Sequence, residues 1–239
     1  MYYSFLFVFL LFIIYSVIGY LVEIISCTIY FKKLSLSRGY LIGPYIPIYG
    51  EGAILISILL NKYKDDILVL FIMGMLICSV LEYFTSLIME KLFKLRWWDY
   101  STMPFNINGR ICLEYGVLFG FGGVLIVNYV NPFLVNFLSS LPKSYVYVIG
   151  TVVLIPFLVD LIESTYIIFH LKVNINKYTN QDATMTIKRE VIKSFKKHRT
   201  FTNRLLKAFP DVREVKKGQV DIKKTMKKIK KERSKNNEK

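Results

Sequence analysis

Apolar residues run almost unbroken from Ser4 to Tyr30, then return at Pro47–Leu60, Ile67–Met89, Leu113–Leu138 and Tyr145–Phe169. A helix needs about 20 mostly apolar residues to cross a bilayer, so these five segments predict membrane spans. Pro47–Leu60 is the short one; it follows Pro44 and contains Glu51, features of a re-entrant segment as much as of a span. The first stretch is longer than a signal peptide's apolar core of roughly 7–15 residues, and no Lys or Arg precedes it, so it reads as a retained helix. No internal repeat is visible in the sequence.

Beyond His170 the pattern changes. Ile187, Val191 and Phe195, then Leu205 and Phe209, recur at helical spacing among lysines, and Asp221 is placed to cap a short helix over Ile222–Ile229. The expected fold is therefore all-α: a polytopic membrane bundle of about five spans over 1–170, with a basic, partly helical cytoplasmic tail over 171–239.

Charge sharpens that division. The 239-residue chain is 54% hydrophobic yet carries a formal charge of +15. Residues 1–170 hold 10 basic and 10 acidic groups, whereas 171–239 hold 22 basic and 7 acidic. A single soluble globule is excluded. With five crossings and the N-terminus outside, the inner loops carry Lys32, Lys33, Arg38, Lys91, Lys94, Arg96 and Arg110, and the outer loops only Lys62, Lys64 and Lys143. The positive-inside rule then predicts a multi-pass plasma-membrane protein with an outside N-terminus and a cytoplasmic tail. That tail is expected to adsorb to the anionic inner leaflet; few aromatics interleave its lysines, which argues against nucleic acid.

Ionisable groups inside spans are costly, about 2.5–3.5 kcal/mol for a central Asp, Lys or Arg, and usually functional. Glu23, Glu51, Glu82, Glu90, Glu114, Asp160 and Glu163 all fall in or beside predicted spans, in the halves assigned to the cytoplasmic side. Ser16, Gly19 and Glu23 share one helix face, as do Glu82, Thr85 and Met89. Arg38 and Arg110 are expected within salt-bridge reach of Glu23, Glu51, Glu82 or Glu114.

Two connecting segments are unusual. Arg38–Gly50, RGYLIGPYIPIYG, combines tight-turn residues with tyrosines, and Arg96–Glu114, RWWDYSTMPFNINGRICLE, brings Trp97 and Trp98 for the interfacial belt with Asp99, Asn106, Asn108 and Arg110 as hydrogen-bonding groups. Both read as loops packed at the membrane interface. The candidate substrate-binding residues are Glu23, Arg38, Tyr49, Glu51, Glu82, Trp98, Asp99, Asn106, Asn108, Arg110 and Glu114. Gly116 and Gly120, followed by Gly122 and Gly123, suit close helix contact, within the monomer or in a homo-oligomer.

No phosphate-binding loop and no nucleophile elbow are present, and His170 and His198 lack metal-ligand spacing, so no cofactor or metal is expected. Cys27, Cys78 and Cys112 sit in or beside apolar runs as packing residues.

The blocks Tyr15-Ser16-x-x-Gly19-x-x-x-Glu23, RGYLIGPYIPIYG, LEYFTSLIMEKLF, RWWDYS and FNINGRICL resemble the bacterial family labelled putative ABC-transporter type IV, CmpB-like, over roughly residues 10–135. Tyr20 and Ile46 depart from the Trp and Cys expected of that pattern. The resemblance implies a multi-spanning, permease-like protein, and an ATPase would be a separate chain docking on the inner loops. Three readings follow: a permease whose polar cytoplasmic vestibule receives a solute or lipid headgroup, an intramembrane enzyme acting on a lipid or lipid-linked substrate, or a membrane scaffold.

Overall fold

The computed structural model describes residues 4–32, 39–93, 95–179 and 213–214. Six helices make up the bundle: α1 (Phe5–Phe31), α2 (Pro47–Leu60), α3 (Ile67–Phe93), α4 (Leu113–Leu125), α5 (Asn131–Ser140) and α6 (Lys143–Thr179). The protein is an all-α polytopic bundle. Four helical stretches are long and apolar enough to cross a membrane: Phe5–Ile29, Ile67–Phe93, Leu113–Ser140 and Lys143–Phe169. The third is α4 and α5 joined by a π-helical turn over Ile126–Val130, just before Pro132, whose missing N–H perturbs the helical ladder.

α2 is different. Its 14 residues extend about 21 Å, short of a hydrocarbon core of about 30 Å. The chain leaves α1 through Lys32, whose left-handed φ of 50° ends that helix, and folds back along it. By Ile46 it has returned to the middle of α1, where the Ile46 N–H donates to the Ser16 carbonyl at 3.0 Å. Pro47 then opens α2, a first-turn position that needs no N–H donor. The second crossing expected from sequence is thus a non-helical descent, Gly39–Ile46, followed by a half-length helix.

Glycines set the approach of these elements. A Cβ on Gly50 would collide with Ser16 Oγ and stand 2.6 Å from the Phe12 carbonyl, so α2 and α1 lie nearly in backbone contact. Gly74 and Gly123 bring α3 and α4 together, with a Gly74 Cβ only 3.4 Å from Gly123 Cα. Gly116 and Gly120 also face α3, whereas Gly122 faces open space, so packing within one chain accounts for three of the four glycines in that run. Apolar clusters fill the remainder. Phe7, Leu10, Leu11 and Tyr15 pack on Ala53, Leu134 and Leu138, while Ile56 and Leu60 meet Leu70 and Val127.

Two pairs of helices share a set of landmarks. α1 and α3 are each 27 residues long and run in the same direction, and each is followed by a loop that turns back and a helix that opens with Tyr-Gly. In the first unit Gly50, after Tyr49, packs on Ser16; in the second Gly116, after Tyr115, packs on Ser79, 3.3 Å from the position of its Cβ. Both serines stand near the middle of their helices. The spacing between these landmarks differs in the two pairs of helices.

α6 continues through Thr179, past the expected domain boundary at residue 170. A two-residue antiparallel pair sets Leu95 opposite Glu214 and Arg96 opposite Arg213. Arg38 and the predicted amphipathic helices at Ile187–Phe195, Leu205–Phe209 and Ile222–Ile229 lie outside the described residues.

Replacing Gly50 by Ala should lower the thermal stability of the detergent-solubilised protein by an amount in the overpacking range of about 1–3 kcal/mol. Gly122→Ala should be neutral or slightly stabilising, because helix propensity alone then acts. Equal melting curves for the two variants would contradict the close α1–α2 contact.

Candidate functional site

An extended segment at membrane depth survives only where protein or water satisfies its backbone. For the first loop that task falls to Asp160, in the middle of α6. Its carboxylate accepts from the Ile42 N–H at 2.8 Å, the Gly43 N–H at 2.7 Å, the Tyr45 hydroxyl at 2.5 Å and Ser164 Oγ at 2.8 Å. Leu41 is fully buried beside this anchor, and the Tyr45 ring packs on Phe157 at 5.6 Å. Glu163, the sequence neighbour of this anchor, is exposed.

From its anchor the loop delivers Tyr49 to α1. The Tyr49 hydroxyl donates to Glu23 Oε2 at 2.9 Å, and Cys27 Sγ approaches Glu23 Oε1 at 3.6 Å. Gly19 leaves room for the Tyr49 ring, which a Cβ there would strike. Of the residues expected from sequence, Glu23, Tyr49 and Glu82 come together here: both Glu23 and Tyr49 interact electrostatically with Glu82 across the α1–α2–α3 junction.

The second loop docks on α3. Tyr100 donates to Glu82 Oε1 at 3.2 Å and stacks on Tyr115 with ring centroids 4.9 Å apart. Burial holds the Tyr100 phenol well above its ordinary range, and the adjacent Glu82 charge reinforces this, so Tyr100 stays a donor. Two turns further along α3, Glu90 Oε2 receives Arg110 at 3.0 Å and Arg96 at 3.3 Å, and Arg96 also reaches Asp99 at 3.4 Å. Arg110 is 7% exposed and donates to Ser86 Oγ at 3.1 Å. The expected partners of Arg110 are corrected accordingly. Its loop sets it beside the end of α3, where Glu90 is nearer than Glu23, Glu51, Glu82 or Glu114.

Other candidates build the loop itself. Trp98 Nε1 donates to the Arg110 carbonyl at 3.0 Å. Asp99 accepts from the Ser101 N–H at 3.1 Å and from its hydroxyl. Asn106 donates to the Met103 carbonyl at 2.7 Å and accepts from the Gly109 N–H at 3.0 Å, while Asn108, in the left-handed region that asparagine tolerates, donates to the Tyr83 hydroxyl at 3.0 Å. Trp97 is 2% exposed and packs edge-on to Phe93. Glu51 and Glu114 are exposed. Asp160, Glu90, Tyr100 and Tyr115 were missed as site residues; the sequence signal for the first two was their position inside spans.

Asp160→Ala would strip partners from two backbone N–H groups and a phenol. Each buried unsatisfied group costs about 1–3 kcal/mol. The variant should therefore lose most of its folded yield in membranes, and Asp160→Asn, which keeps one acceptor oxygen, should fall between it and the wild type. Wild-type yield and melting temperature for Asp160→Ala would refute the anchoring role.

No curated protein and no solved structure matches the chain. Residues 10–165, which include α1 through Asp160 and both inturned loops, match the family described as putative ABC-transporter type IV. The match covers well over half of the sequence, and the chain belongs to that family.

Proposed function

We propose that this protein is the permease-like subunit of a membrane transporter, with its inturned loops and their carboxylates and arginines forming a polar vestibule that faces the cytoplasm and receives a solute or lipid headgroup. One observation carries the reading. Two non-helical segments return to membrane depth and dock on intramembrane acids, Gly39–Ile46 on Asp160 and the Arg96–Arg110 loop on Glu82 and Glu90. Broken helices with irregular backbone at membrane depth are how many transporters build substrate sites. Family membership and four apolar helices support a transporter-like membrane protein at the coarser level.

In this reading ATP hydrolysis belongs to a separate subunit on the cytoplasmic side. The tip of the second loop offers it a contact: Phe105 is 81% exposed and holds a left-handed φ of 51°, an unusual conformation for a bulky residue. An intramembrane enzyme remains the second reading, favoured by the buried Glu82 carboxyl beside the Tyr100 phenol.

Two outcomes are expected. In intact cells, single cysteines placed at Lys62 and Lys217 in a cysteine-free background should be labelled from outside only at Lys62; labelling at Lys217 would reverse the topology. The purified chain in proteoliposomes should hydrolyse no ATP alone, and Phe105→Ser should weaken ATPase recruitment without changing the melting temperature. Nucleotide-independent turnover of a lipid by the purified chain would replace this reading with the enzyme.

A further inference from the structure

Glu82 is 8% exposed, and only half of its carboxyl group is engaged. Tyr100 donates to Oε1, while Oε2 is buried with no hydrogen-bond partner. The titratable groups that face it are Glu23 of α1, Tyr49 of α2, Cys78 one turn earlier on α3, and Tyr100 of the second loop with Tyr115 of α4 behind it. α6 meets α3 near its end, through the Phe93–Phe169 pair. Among the described residues, Arg110 is the buried cation on this side of α3, and it is committed to Glu90 and Ser86. Glu23 and Glu82 thus face each other with no ion pair to either among the described residues.

An isolated buried carboxylate costs so much solvation energy that such a group is normally neutralised or paired. The groove of about 670 Å³ between α3 and α4 is lined by Phe71, Phe121, Tyr129 and aliphatic residues near the opposite end of α3, and none of its lining is charged. Glu82 itself sits behind Tyr100 and Tyr115.

Glu23, seven residues after Ser16, is met by Tyr49 of α2; Glu82, three residues after Ser79, is met by Tyr100 of the second loop, which stacks on Tyr115. We propose that Glu82 is a proton-binding site where α1, α2 and α3 meet, with the Glu23 carboxyl facing it across that junction. The proton resides on the Glu82 carboxyl at neutral pH and leaves to solvent as a proton when that group ionises; no other bond changes.

The site does not depend on the transport reading and would stand for a chain that moved no solute. The test is infrared difference spectroscopy of the full-length chain in zwitterionic lipid nanodiscs between neutral and alkaline pH. A protonated-carboxyl band should be present at neutral pH and lost on alkalinisation. Glu82→Gln should remove it, Glu23→Gln should keep it but move the pH at which it is lost, and Glu90→Gln, at the arginine-paired acid, should leave it unchanged. Should Glu82→Gln fail to fold, Tyr100→Phe serves instead: removing the hydrogen bond to Oε1 should shift the band's frequency. Absence of the band at neutral pH, its persistence in Glu82→Gln, indifference to both Glu23→Gln and Tyr100→Phe, or a carboxylate spectrum that responds to Na⁺ would each overturn the proposal.

Discussion

The Asp160 carboxylate is the interaction on which the first half of the bundle depends. It gathers two backbone N–H groups and a phenol from a segment that cannot hydrogen-bond to lipid, and so permits the chain to reach the middle of α1 without a helix. Remove that acceptor and Gly39–Ile46 has no route inward. α2 would then begin elsewhere, Tyr49 would not reach Glu23, and the Gly50–Ser16 contact would not form.

The second loop solves the same problem with different chemistry. Its longer course carries its own polar groups: Asn106 closes a turn with Met103 and Gly109, Trp98 reaches the Arg110 carbonyl, and the Tyr100 N–H donates to the Gly109 carbonyl at 2.8 Å. The loop meets α3 through Tyr100 on Glu82, Asn108 on Tyr83, and the two arginines on Glu90. Short loop and external anchor in one unit correspond to long loop and internal scaffold in the other. This difference explains how a shared plan persists in geometry while the linear spacing diverges.

Much of the helical architecture was legible in the sequence because lipid imposes a simple rule, long apolar runs, and α1, α3 and α6 obey it closely. The two unusual loops were legible too, from glycine, proline and aromatic residues where a polar linker would be expected. What the sequence did not specify was depth. Fold-back of residues 39–46 depends on a partner more than 110 positions away, and no local pattern links Gly43 to Asp160. The same holds for Arg110, whose partner is decided by where its loop places it along α3. Charge complementarity predicted that Arg110 would be paired; only geometry chose Glu90.

That choice separates the intramembrane acids into two kinds. Glu90 is shared by Arg96 and Arg110, and Asp99 also reaches Arg96, so two cations meet two anions at the end of α3. Asp160 has no cation partner among the described residues, but four hydrogen-bond donors take up its lone pairs. A carboxylate satisfied in either way is a structural element, since changing its charge would break the contacts that define the fold. Glu23 and Glu82 fit neither description. Each accepts a tyrosine hydroxyl, a bond that holds the side chain in place without compensating a full negative charge. Among the described residues, Arg96 and Arg110 are committed to Glu90, about two turns further along α3 than Glu82, and neither pairs with Glu23 or Glu82.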